Sequence, residues 1–154
     1  MIRQIYLQIV ESISVVPAPE SAGTDREAAL RLATAVLMVD VARADRVFEE
    51  SEFESMLRLI ETHFQLSPEQ AATLVNAAGE KADDMVSLFE FTQLLHKHLD
   101  EKEKARIVSL LWQVAYADGQ LDKYEDSLVL KISDLLYVSR GRVMRLKHDA
   151  QQIL

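Results

Sequence analysis

Two segments of the chain, 73 residues apart, are copies of one another, and this repeat constrains the fold more than any other feature of the sequence. Between positions 37–52 and 110–125, six of sixteen residues are identical. The identical pairs are Leu37 and Leu110, Val41 and Val114, Ala42 and Ala115, Ala44 and Ala117, Asp45 and Asp118, and Glu52 and Glu125. The match continues at an offset of 72, where Ser67 aligns with Ser139. Because repeated units bury together the faces that neither buries alone, the sequence predicts two pseudo-symmetric helix-loop-helix repeats.

Helical periodicity and helix-start signals run through the body of the chain. Capping boxes are predicted at Thr24 with Glu27, at Ser67 with Gln70, and at Asp100 with Glu103, and Ser139 is a further N-cap candidate. No segment alternates with a period of two, and four Gly with three Pro leave little turn chemistry for hairpins. We therefore predict an all-α compact bundle of about seven helices over residues 24–154.

The first 23 residues are predicted to be an amphipathic helix followed by a linker. Apolar side chains recur there at helical spacing, at Ile2, Ile5, Tyr6, Ile9, Val10 and Ile13. Pro17, Pro19 and Gly23 indicate the linker. We favour docking of this helix onto the domain, with binding to a partner or membrane surface, or removal as a signal peptide, as alternatives. The longest uninterrupted apolar stretch, Ala35–Val39, has five residues, whereas a membrane span needs about 20.

The composition and the absence of certain motifs argue against several classes of function. Lys and Arg number 17 against 25 Asp and Glu, a formal charge of −8, which argues against nucleic-acid binding through the phosphate backbone. The absence of cysteine excludes thiolate metal sites and cysteine nucleophiles. There is no phosphate-binding glycine loop and no nucleophile elbow, and His96, beside an apolar stripe, is interpreted as a core or boundary residue. We expect a protein that is not an enzyme and rank carboxylate-based, metal-dependent hydrolysis last.

An acidic loop lies at the centre of each repeat. Its carboxylates are Asp45, Glu49 and Glu52 in the first copy and Asp118, Asp122 and Glu125 in the second. An ordinary EF-hand is rejected, because Val114 and Tyr116 stand where that loop needs oxygen ligands. Either these acids only cap helices, or they converge to bind a divalent cation (Mg, Ca, Mn or Zn), or they dock a basic partner. Asp40, one turn before the first loop, could extend its acidic cluster.

The repeated segments VARADRVFEESE and VAYADGQLDKYE, with the intervening LFEFTQLLHKHLDEKEKARIVSLLWQ, resemble the TerB-like family of tellurite-resistance-associated proteins over roughly residues 25–150. The resemblance implies a compact helical fold, a cytoplasmic location and a role in stress response. It also assigns metal or partner contacts to the same six acidic residues. We expect a protein partner, with a membrane-associated complex as one candidate. Arg46 departs from the family pattern, since it replaces the usual glycine. We expect a non-enzymatic module that acts through protein partners, with a pure interaction scaffold as the alternative.

The C-terminal run SRGRVMRLKH reverses the overall sign of the charge. It carries Arg140, Arg142, Arg145 and Lys147 without an acidic residue. A solvated helix face is the simpler interpretation, and contact with an acidic partner or with the acidic loops of a second copy in a homo-oligomer is the alternative.

Overall fold

Seven α-helices make up the part of the chain that the structure describes. The structure is a computed structural model, and it describes residues 22–44, 50–84, 88–117 and 123–153. The helices are α1 (Ala22–Ala42), α2 (Glu50–Phe64), α3 (Pro68–Asp84), α4 (Leu88–His98), α5 (Glu101–Ala115), α6 (Lys123–Leu135) and α7 (Arg140–Ile153). The described residues contain no strand, which confirms the all-α prediction. No helix among them is long and apolar enough to cross a bilayer. The predicted helix at residues 2–13 lies outside the described residues.

Helix α1 is the central helix of the bundle. Every residue from Leu32 to Val39 is buried, so this stretch of α1 is covered on all its faces. A helix that is apolar all round belongs in an interior. Thr34 is the polar member of this run, and its hydroxyl donates to the carbonyl of Leu30 at 2.7 Å. Burial of this side chain therefore leaves no hydroxyl hydrogen unpaired.

The two halves of the chain show the same helix pairings. In the first half α1 packs on α2 and α3, and α2 packs on α3. In the second half α5 packs on α6 and α7, and α6 packs on α7. The halves meet where α1 contacts α5, with α1 against α6 and α2 against α5 on either side, while α4 packs on α6. Each pairing within the first half thus has a counterpart within the second at the repeat offset, although the pseudo-symmetric axis itself stays a prediction.

Local capping signals fix three of the helix starts. At α3, the Ser67 amide donates to Gln70 Oε1 at 3.0 Å and the Gln70 amide donates to Ser67 Oγ at 3.1 Å. Asp100 and Glu103 form the reciprocal bonds at α5, and the Arg142 amide donates to Ser139 Oγ at 3.4 Å at α7. These predictions are confirmed. The Thr24 cap is wrong, because α1 begins two residues earlier, at Ala22.

Candidate functional site

The candidate site consists of the two helix junctions that carry the acidic loops. The first joins α1 to α2 and the second joins α5 to α6. Asp45, Glu49, Asp118 and Asp122 lie outside the described residues. The helix ends that precede both loops, and the helices that follow them, are described, together with Glu52 and Glu125.

The two helix ends that precede the acidic loops have the same backbone hydrogen bonds. The Arg43 amide donates to the Val39 carbonyl at 3.0 Å, and at the repeat offset the Tyr116 amide donates to the Trp112 carbonyl at 3.0 Å. In the following turn the amides of Ala44 and Ala117 donate to the carbonyls three residues earlier, at 3.1 and 3.2 Å. The chain therefore leaves both helices through the same tightened turn, which delivers the two loops from equivalent positions.

Glu52 and Glu125 occupy equivalent positions at the start of the following helices. Each is the third residue of its helix, Glu52 in α2 and Glu125 in α6. Glu52 is half-buried, whereas Glu125 is only 6% exposed. Both side chains have polar or electrostatic interactions within the chain. Since a carboxylate near a helix N-terminus is favoured by the exposed amides there, this position suits both a capping role and an acidic site.

Equivalent residues brace the two junctions against the third helix of each half, but with different chemistry. Arg43 Nη1 bonds to Asp83 Oδ1 of α3 at 2.6 Å. A Cβ on Gly79, also in α3, would lie 3.3 Å from the Arg43 guanidinium, so a glycine here avoids a tight contact with the cation. In the second half, Gln151 of α7 donates to the Tyr116 hydroxyl at 2.8 Å. Gly79 and Gln151 correspond at the offset of 72, as Arg43 and Tyr116 do at 73.

Asp40, which the sequence suggested as an extra member of the first acidic cluster, lies in an environment that does not suit a metal ligand. Burial raises the pKa of its carboxyl above the ordinary value, and the cations of Arg43 and Lys131 offset this only in part. Its environment therefore disfavours the ionised form that a metal ligand needs. The repeat places Gln113 at the corresponding position of the second copy, so the two junctions differ here.

The fit of a divalent cation can be tested on the described residues only in part. Two of the six predicted ligands are described, and the described ranges contain no group of three or more histidine and acidic side chains arranged to hold a metal. A hard cation such as Ca²⁺ takes about six to eight oxygen ligands. Glu52 and Glu125 cannot supply such a shell, so any metal site depends on the four loop carboxylates.

A buried lysine and histidine pair was not anticipated from the sequence. Lys104 is 2% exposed, and its Nζ lies 2.5 Å from His96 Nδ1 and 3.8 Å from Glu101 Oε1. Because an ammonium only donates, Nδ1 of His96 is the acceptor for a charged Lys104. The signal was present in the spacing: Lys104 precedes Ile107, Val108 and Leu111 by three, four and seven residues, and all three are buried. His96 is half-buried, as expected of a boundary histidine.

Most of the basic C-terminal run is paired within the chain. Arg140 bonds to Asp134 at 2.8 Å and Arg142 lies 3.9 Å from Glu101. Lys147 bonds to Asp126 at 2.8 Å, with both side chains largely buried, and lies 5.1 Å from the centroid of the buried Trp112 ring. Lys147 was expected on a solvated helix face, but its side chain is part of the packing between α6 and α7.

These observations define the class of protein: an all-helical module whose repeated units each present an acidic helix junction. The chain matches the family model described as Tellurite resistance protein TerB over residues 31–148, and it therefore belongs to the TerB family. Comparison with curated proteins and with solved structures gives no match.

Proposed function

We propose that this TerB-family chain is a non-enzymatic binding module that acts through protein partners and binds a divalent cation at its acidic junctions. The ligands would be Asp45, Glu49 and Glu52 in the first copy and Asp118, Asp122 and Glu125 in the second. Carboxylate oxygens are the ligands that hard cations prefer.

The observation that carries the proposal is the equivalence of Glu52 and Glu125. Both are the third residue of a helix, and both follow a helix end with the same pattern of amide bonds. Two loops that start and end alike can present their carboxylates in the same way. These six acidic residues contribute to the formal charge of −8, and a cation bound between them would offset the repulsion of their carboxylates.

A second candidate is an interaction scaffold in which the acidic residues only cap helices. The burial of Glu125 and the contacts that both glutamates make within the chain favour it. Asp100 with Glu103 shows that this sequence uses an acidic pair as a capping box elsewhere. If this candidate is right, replacing Asp118 by Asn and Glu125 by Gln leaves partner capture unchanged.

A titration of the full chain separates the two candidates. Amide chemical shifts would be followed as magnesium, calcium, manganese and zinc chlorides are each raised to about 1 mM, the weak end of protein calcium sites. We expect saturable shifts near Ala44 and Ala117, weakened in Glu52→Gln with Glu125→Gln. Glu54→Gln, an exposed position of α2, is the matched control and should titrate like the parent. Shifts that fail to saturate with all four ions would favour the scaffold.

The wider role in this proposal goes beyond the family description, which names tellurite resistance alone. We propose a cytoplasmic location and a role in the stress response connected with tellurite resistance, with partners that include a membrane-associated complex. A thiol-based reaction with tellurite is not part of the proposal, because the chain has no cysteine.

A further inference from the structure

An open groove with a volume of about 620 Å³ runs between α1 and α3, and its described lining includes neither Glu52 nor Glu125. Its floor is apolar and consists of Leu32, Leu66, Leu74 and Ala77. Leu66, Leu74 and Ala77 keep part of their surface exposed. Burying such apolar surface is favourable, so an apolar occupant would be stabilised there.

We propose that residues 2–13 of this chain form an amphipathic helix that docks in the groove between α1 and α3. The apolar residues of this segment recur at helical spacing, which is the pattern that helix-in-groove recognition uses. The family match begins at residue 31, so this segment lies outside the matched range. The inference does not depend on the cation proposal.

The length of the segment and its point of attachment fit the groove. Twelve helical residues span about 18 Å, and the groove follows α3 from Glu69 to Ala77, a rise of about 12 Å. Residues 14–21 can reach up to about 26 Å when extended. They join α1 at Ala22, six residues or about 9 Å before the groove begins at Ala28. The linker is thus long enough to turn the segment back along α1.

Both the segment and the edges of the groove carry one charge of each sign, so one orientation of the segment pairs opposite charges. Arg31 lies on the α1 side and Glu69 on the α3 side. The segment carries Arg3 and Glu11 among its polar residues, one charge of each sign. The short linker holds this segment near the groove at a high effective concentration. A free partner of equal affinity would need the same concentration in solution to compete with it.

A spin-label experiment tests the docking in the full chain. The chain has no cysteine, so Thr73→Cys, at an exposed position on the groove edge, provides a single site for a nitroxide label. We expect a selective loss of amide signal intensity in residues 2–13. The same label at His148→Cys, an exposed position of α7, is the control for nonspecific broadening. Equal intensities with the two labels would overturn the proposal.

Two further measurements identify the occupant. Mixing spin-labelled chains with unlabelled, isotope-enriched chains should leave residues 2–13 at full intensity, because docking is intramolecular. Broadening only in the mixed sample would instead mean that a second copy occupies the groove, which contradicts the proposal. Ile5→Ser with Ile9→Ser should abolish the broadening, whereas Gln4→Ser with Gln8→Ser, on the polar face, should retain it. Equal behaviour of the two pairs would also refute docking through the apolar face.

Discussion

Gln65 and Tyr137, 72 residues apart, are the two non-glycine residues in the described part of the chain whose φ is positive, at 54° and 62°. Each stands just after the second helix of its half, and at each the amide of the following residue makes the same backbone bond. The Leu66 amide donates to the Glu61 carbonyl at 3.1 Å, and the Val138 amide donates to the Ser133 carbonyl at 3.0 Å. This left-handed helix ending is usually made by glycine. Both copies of the repeat therefore share this backbone conformation, although the residue at each position is one for which a positive φ is unfavourable.

Replacing Gln65 by Gly should stabilise the fold. The left-handed conformation costs a non-glycine residue about 1–2 kcal/mol, and the greater freedom of unfolded glycine returns about 0.5–1 kcal/mol of that. We expect a net gain of about 0.5 kcal/mol in the free energy of unfolding, measured by urea denaturation. Gln65→Val should lose stability, and a gain from it would contradict the explanation. Tyr137→Gly should gain less, since the Tyr137 ring lies 4.4 Å from the His96 ring.

Replacing Lys104 by Ala should cost about 2 kcal/mol of unfolding free energy. The change removes a buried aliphatic stem and leaves His96 Nδ1 without its charged donor. Lys102→Ala, two residues earlier and exposed, is the matched control and should change stability by less than about 0.5 kcal/mol. Equal losses in the two variants would mean that the buried pair has no special role.

Asp40→Asn should raise the melting temperature at pH 7. Burial raises the pKa of Asp40, so the folded chain binds this proton more readily than the unfolded chain. Its ionisation therefore lowers stability as the pH rises above about 3.8, the ordinary value. The advantage of the Asn variant should shrink as the pH falls toward 3.8. Asp149→Asn, on the exposed side of α7, controls for the loss of one negative charge. An advantage that does not change with pH would exclude titration of Asp40 as the cause.

His63 should make the fold less stable in mild acid. Its pKa is lowered by burial and by the Arg106 cation, whose Nε donates to His63 Nε2 at 2.8 Å. The unfolded chain therefore binds this proton more readily, so stability is kept above pH 6.5 and falls as the pH drops through that value. His63→Gln, which can still accept from Arg106, should show a shallower decline in melting temperature between pH 7 and pH 5. A decline as steep as that of the parent would count against His63.

The capping serines should contribute unequally. Ser67→Ala removes a reciprocal capping box with bonds near 3 Å, and we expect a loss of about 1 kcal/mol in the free energy of unfolding. Ser139→Ala removes a single, longer bond of 3.4 Å and should cost less. Denaturation of both variants under the same conditions gives the comparison. A larger loss at Ser139 would contradict the ranking by geometry.

Local features of the fold could be predicted from the sequence, whereas features set by distant contacts could not. The starts of α3, α5 and α7 depend on residues within one turn of Ser67, Asp100 and Ser139, so short-range patterns predict them. The spacing of Lys104 to the apolar face of α5 indicates an inward position, but its partner His96 lies in another helix, and the run DEKEKAR around it is typical of an exposed surface. The acidic loops were recognised through the repeat, but whether their carboxylates converge depends on four residues outside the described ranges.

The unlike braces at Arg43 and Tyr116 give the two halves different responses to ionic strength. The Arg43–Asp83 pair joins side chains that are 42% and 67% exposed, so dissolved salt screens it. The bond from Gln151 to the Tyr116 hydroxyl joins neutral groups and is far less affected by salt. Rising salt therefore loosens the anchor of the first acidic loop and leaves that of the second in place. The duplicated unit thus carries one contact that responds to salt and, at the equivalent place, one that salt barely affects.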